Sequence, residues 1–132
     1  MIEKVAIIGA GAWGMALALH LARANKCAVS LWSVREASRN NLKVARGNDL
    51  LLPGIVLPSQ IEISDSCTNA ISGAGLLVSS VPSAHLRSVF KSIVSEIPAM
   101  LPVLSTTKGL ERESFLRPSQ TIVDVLGALC LD

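Results

Sequence analysis

Three glycines near the N-terminus, in the run Gly9-Ala10-Gly11-Ala12-Trp13-Gly14, follow the spacing G-x-G-x-x-G. Backbone without side chains at these points can turn sharply and lie close to an anion. Gly9 permits the tight turn, Gly11 leaves room for a pyrophosphate, and Gly14 lets a following helix pack closely on a sheet. The spacing alone is a weak signal, and its context decides. Here it lies between a β-branched run, Lys4–Ile8 (KVAII), and a stretch of good helix formers, Ala12–Ala24 (AWGMALALHLARA). The free N–H groups and positive dipole end of such a helix attract phosphate. The chemistry expected of Gly9–Gly14 is therefore binding of a dinucleotide, NAD(H) or NADP(H).

Sites of this design carry an Asp or Glu about 20 residues on, where it binds the ribose 2′-OH and favours NAD. The sequence there reads Trp32-Ser33-Val34-Arg35, with no acid before Glu36. Arg35, and next to it Arg39, suit a 2′-phosphate instead, so NADPH is favoured. The competing reading of Arg35 is a solvated residue at a helix start. Trp13 either packs over the cofactor crevice or fills space against a second domain. His85 either lies near the nicotinamide or is a plain helix-face histidine.

These residues need elements to position them. Lys4–Ile8, Ala12–Ala24 and Ala28–Trp32 read as strand, helix and strand, one βαβ unit. A polar helix is expected over Arg35–Ala45, a loop over Gly47–Pro58, and a short strand over Ile61–Ile63. Gly75–Ser80 predicts a buried strand ended by Pro82, and Ala84–Ile97 has helical periodicity. Pro102–Ser105 predicts a fifth strand and Gln120–Leu129 a last helix. Alternating strands and helices imply an α/β fold of the Rossmann type, with a mostly parallel sheet and helices on both faces. The 132 residues suffice for one domain and not for two, so residues 1–132 are expected to form one dinucleotide-binding domain. A chain that stops just after its last helix with a whole cofactor turn reads as part of something longer.

Half of the residues are hydrophobic, with two Trp, two Phe and no Tyr, so aliphatic side chains must build the core. The charge of +2 comes from scattered Lys and Arg, which argues against a nucleic-acid partner. The apolar stretch after Lys4 mimics a signal peptide, but Glu3, three internal glycines and His20 break it. A membrane span would need about 20 apolar residues without such breaks. Cys27, Cys67 and Cys130 are far apart, and two histidines, His20 and His85, give no metal-ligand spacing. Dispersed cysteines read as small buried residues in a reducing compartment, and a cytoplasmic protein without metal is expected.

Five segments in order then carry a resemblance: GAGAWG at Gly9–Gly14, Leu31-Trp32, LPGIVLP at Leu52–Pro58, VPSAHLR at Val81–Arg87 and TTKGLE at Thr106–Glu111. Along nearly all its length the chain resembles the N-terminal half of bacterial NAD(P)-dependent sn-glycerol-3-phosphate dehydrogenase. The resemblance implies interconversion of sn-glycerol 3-phosphate and dihydroxyacetone phosphate by hydride transfer, a supply line for glycerophospholipids. It places cofactor contacts on Ala12, Trp13, Arg35 and Lys108, and a substrate contact on Lys108 as well. Lys108 is also predicted to lie after the fifth strand, at the sheet edge where open α/β folds bind ligands. Two departures matter. The family often has Ser where this chain has Ala12, and Arg or His at Val34, which leaves Arg35 as the only cation at that point. The resemblance further implies a helical C-terminal domain that supplies a lysine general base, substrate-phosphate ligands and most of a homodimer contact. No catalytic base is therefore expected in this chain. Two other readings are carried beside this one: the coenzyme domain of another two-domain 2-hydroxy or 2-oxo dehydrogenase, and a non-catalytic NAD(P)-binding module.

Overall fold

A computed structural model describes residues 1–127 of the chain. Its elements are β1 (Lys4–Ile8), α1 (Ala12–Ala24), β2 (Ala28–Trp32), α2 (Glu36–Ala45), β3 (Ile61–Ile63), α3 (Cys67–Ile71), β4 (Leu76–Ser79), α4 (Ser83–Ile93), β5 (Val103–Ser105) and α5 (Pro118–Leu126). A 3-10 turn, Val94–Glu96, prolongs α4. The five strands are parallel in the order β3-β2-β1-β4-β5. This is the Rossmann-type parallel sheet expected from the alternating pattern.

The central strand shows why the sequence folds so. Successive side chains of a strand point to opposite faces. Val5 and Ile7 accordingly join one core with Met15 and Ala18 of α1 and Leu42 of α2. Ala6 and Ile8 join the other core with Ala70 of α3, Phe90 of α4 and Ile122 of α5. Both layers need apolar residues, so Val5–Ile8 is a continuous hydrophobic run and not an alternating one. Helix α1 meets the sheet through the small buried residues Gly14, Ala18 and Ala22, one per turn. Asn25, in the left-handed region at φ 50°, ends it.

Several expectations shift at their edges. Arg35 is the residue capping α2 and not its first turn. The helix expected over Ala84–Ile97 begins at Ser83 and tightens into the 3-10 turn. The last helix starts at Pro118, whose fixed φ suits the first helical position, and the Gln120 side-chain oxygen accepts from the Arg117 backbone N–H at 3.0 Å. Its expected end at Leu129, like Cys130, lies outside the described residues. Helix α3 was not expected. Its five residues are too few for periodicity to show, yet Ser66 caps it by accepting from the Asn69 N–H at 3.1 Å.

The Gly47–Pro58 segment is a loop, as anticipated, and Arg46 pins it. The Arg46 guanidinium donates to the carbonyls of Pro58 at 2.6 Å and Ile61 at 2.7 Å, while Leu57 is fully buried. Among the described residues no helix is long and apolar enough to cross a membrane, and no cluster of potential metal ligands occurs.

Candidate functional site

The strand order reverses at β1, whose neighbours β2 and β4 are reached by crossovers on opposite sides. A crevice must open there, beyond the carboxyl ends of the strands. The turn after β1 enters it. The Gly9 N–H donates to the Trp32 carbonyl at 2.9 Å and the Ser80 N–H to the Ile8 carbonyl at 2.8 Å, so three strand ends meet.

The three glycines differ in what requires them. Gly9 has φ +101°, and a Cβ there would sit 2.7 Å from the Ser80 carbonyl. A Cβ on Gly14 would lie 1.9 Å from the Gly9 carbonyl oxygen. Both are demanded by the fold. A Cβ on Gly11 would meet nothing within 4 Å. The fold itself thus places no demand on Gly11, unlike the other two. The space faces the N–H groups of Ala12, Trp13 and Gly14, because the first bond of α1 runs from the Met15 N–H to the Gly11 carbonyl. No acid stands in that first turn. Room for a compact anion thus coincides with unpaired donors and a positive helix end, which fits a pyrophosphate.

Two cavities flank the turn and share Ser80, Val81 and Pro82 as a common wall. One, of about 710 Å³, lies toward β2 and is lined by Gly9, Gly11, Trp32, Arg35, Ser38 and His85 among others. The other, of about 620 Å³, lies toward β5 and is lined by Trp13, Ser83, Thr106, Thr107 and Lys108. Arg35 and Lys108 therefore stand at opposite ends of one crevice with the glycine turn between them.

Arg35 is exposed at the start of α2, and its guanidinium is unpaired among the described residues. Arg39 is not equally available. It donates to the carbonyls of Ser33 at 2.6 Å and Val34 at 3.1 Å, and its guanidinium lies 5.9 Å from the centre of the Trp32 ring. It braces the turn that carries Arg35. His85 opens on the cavity of Arg35 and not on that of Lys108, which separates it from the Lys108 end of the crevice. Trp13 lines the second cavity and is 58% exposed, so it contributes to the crevice and not to the core. Ala12 offers the helix start its backbone N–H alone.

The loop of Lys108 is anchored by side chains. The Thr106 hydroxyl donates to the Ser79 carbonyl at 2.9 Å and that of Thr107 to the Val81 carbonyl at 2.6 Å. Glu111, three residues on, receives Arg87 Nε and Nη2, each at 2.9 Å, and Arg87 Nη1 reaches Asp124 of α5 at 2.6 Å. Bonding to Arg87, and then to Ser114, holds the Glu111 carboxyl below its ordinary range. Its two carboxylate partners likewise raise Arg87 above its own. Sequence reading named neither Arg87 nor Glu111 as a site residue. Their only signal was that opposite charges close the segments VPSAHLR and TTKGLE.

Residues 4–130 match a family model described as NAD-dependent glycerol-3-phosphate dehydrogenase N-terminus. The glycerol-3-phosphate dehydrogenase (NAD(P)+) of Koribacter versatilis is 36% identical over 125 residues, which are 95% of this chain and 37% of that protein. The enzyme of the same name from Moorella thermoacetica is 39% identical over 124 residues, 94% of this chain and 37% of that one. The crystal structure of glycerol-3-phosphate dehydrogenase from Coxiella burnetii superposes with a TM-score of 0.85 at 30% identity, over 95% of this chain and 38% of that one. The chain thus spans just over a third of the length of these relatives.

Proposed function

The chain belongs to the family of NAD-dependent glycerol-3-phosphate dehydrogenase N-terminal domains, and from that premise we propose that it is the coenzyme half of an oxidoreductase interconverting sn-glycerol 3-phosphate and dihydroxyacetone phosphate. The observation that carries this reading is the open space at Gly11, set against free helix-start donors where the strand order reverses. Gly9, Gly11 and Gly14 shape the turn, and the N–H groups of Ala12, Trp13 and Gly14 hold the pyrophosphate. Arg35, in the β2-side cavity, faces the adenosine 2′ position and favours NADPH over NADH. Trp13 and Lys108 border the nicotinamide end. The cofactor supplies or accepts the hydride there.

Lys108 does the work this chain contributes to the substrate. Its ammonium offsets phosphate charge and donates to the C2 oxygen of dihydroxyacetone phosphate as that oxygen becomes negative. The general base, a lysine, and further phosphate ligands are assigned to a helical domain outside this chain, together with the contacts of a homodimer. Free thiols at Cys27 and Cys67 suit a reducing cytoplasm. No observation favours a binding module without catalysis.

The test is NADPH absorbance decay with dihydroxyacetone phosphate, run on the full-length enzyme. Lys108→Ala is expected to keep the fold and most cofactor affinity and to lower kcat/KM by roughly 10²-fold or more. A fully active Lys108→Ala enzyme would return the residue to an ordinary surface lysine.

A further inference from the structure

The loop of Lys108 is held firmly before that residue and, after it, by a tether of a different kind. Thr106 and Thr107 fix the near side through their hydroxyls on the carbonyls of Ser79, the last residue of β4, and of Val81 just beyond it. Beyond them, Lys108, Gly109 and Leu110 make no backbone hydrogen bond to any described neighbour. The next anchor is the Glu111 carboxylate on Arg87. This contact is bidentate, and the two side chains are only 28% and 18% exposed. A forked guanidinium on a carboxylate fixes direction as well as distance, and partial shielding spares it much of the screening an exposed pair suffers.

Arg87 stands one helical turn after Ser83, and Ser83 lines the cavity of Lys108 from the other wall. The same helix therefore carries that wall and the tether of the loop facing it. We propose that Arg87 and Glu111 are positioning residues for Lys108: their pair sets the separation between the Lys108 loop and the α4 wall, without touching substrate or cofactor. The proposal rests on the role given to Lys108 above. Asp124 steadies Arg87 from α5 and so extends the brace to the last helix.

The experiment is a double-substitution cycle in the full-length enzyme, with kcat/KM for dihydroxyacetone phosphate, NADPH affinity and the melting temperature measured together. Glu111→Gln keeps the shape and removes the charge. It is expected to lower kcat/KM by about tenfold, since small misplacements of a reacting group are costly. NADPH affinity should move by less than about twofold, and in a Lys108→Ala background Glu111→Gln should add less than about twofold more, because groups acting through one another are not additive. Arg87→Lys, which cannot fork, should reproduce the loss if Glu111→Gln fails to fold, and the exchanged pair Arg87→Glu with Glu111→Arg should recover part of it. An unchanged kcat/KM in folded Glu111→Gln overturns the proposal. An equal further loss in the Lys108→Ala background does too, since the pair would then act on the fold at large. If Lys108→Ala itself costs nothing, the role of Lys108 falls first, and the pair is a structural stitch only.

Discussion

At the scale of single residues, one motif divides into two physical kinds of glycine. Gly11 lies in extended backbone, φ −76° and ψ −175°, which any residue adopts, and its missing Cβ points into open space. Gly11→Val should therefore keep circular dichroism and melting temperature while abolishing NADPH binding, followed by Trp fluorescence. Retained affinity in the folded variant would remove the pyrophosphate from this turn. Gly14→Ala should behave oppositely, because its Cβ would collide with the Gly9 carbonyl. The backbone must shift, at about 1–3 kcal/mol, and urea melts should show the loss without any ligand. Arg35→Ala is expected to weaken NADPH more than NADH by about 1.5–3 kcal/mol, or roughly 10- to 150-fold. An equal loss for both would mean that Arg35 does not read the 2′ position. Cys67 is a buried thiol pushed up to about 12, by burial first and Glu96 second. Peptide mapping after thiol alkylation near neutral pH should find it labelled only in the denatured chain.

Among elements, α4 is the member on which most depends. Its inner face, Leu86, Val89, Phe90 and Ile93, fills the core under the β4 side of the sheet, and its outer edge carries Arg87 to Glu111 and Asp124. Phe90 is wholly buried. Phe90→Ala should cost about 3–5 kcal/mol, a large share of the roughly 5–15 kcal/mol that holds a domain folded, as read from urea midpoints. The ion pair predicts a pH effect of definite sign. A carboxyl held below its ordinary value of 4.5 contributes stability that is present above that pH and lost as pH falls through the lower folded value. The melting temperature of the wild type should thus fall more steeply below about pH 4.5 than that of Glu111→Gln. Parallel curves for the two would show that the pair adds nothing to stability.

For the molecule as a whole, the function proposed above makes the crevice half of a reaction site. Cofactor turn, Arg35 and Lys108 are present, while the chain spans just over a third of the relatives it matches. The 132-residue chain should bind NADPH saturably and show no measurable oxidation of it by dihydroxyacetone phosphate. The acid–base assistance that the proposal assigns to the helical domain is worth about 10²–10⁴ in rate, and the substrate positioning assigned there compounds it. Brisk turnover by this chain would mean that the catalytic apparatus has been misplaced.

What the sequence determined by itself is local. Strand β1, the glycine turn, α1 and β2 follow one another within 32 residues, and turn chemistry and apolar periodicity act over just that range. The missing acid before Arg35 was legible for the same reason. Residues far apart in the chain were decided only by the tertiary structure. Arg87 finds Glu111 24 residues on and Asp124 37 residues on, because α4 and α5 pack together on one face of the sheet and the Lys108 loop runs from β5 to α5 beside them. No spacing rule in a single sequence encodes such a meeting. Arg39 looked like a second phosphate ligand until the fold brought the carbonyls of Ser33 and Val34 to it. His85 went to the Arg35 end, into the cavity that Ser88 and Ser92 of the same helix also line. Periodicity constrains which face of an element is buried. It leaves open which polar groups the buried faces bring together, and that is settled only when the layers close.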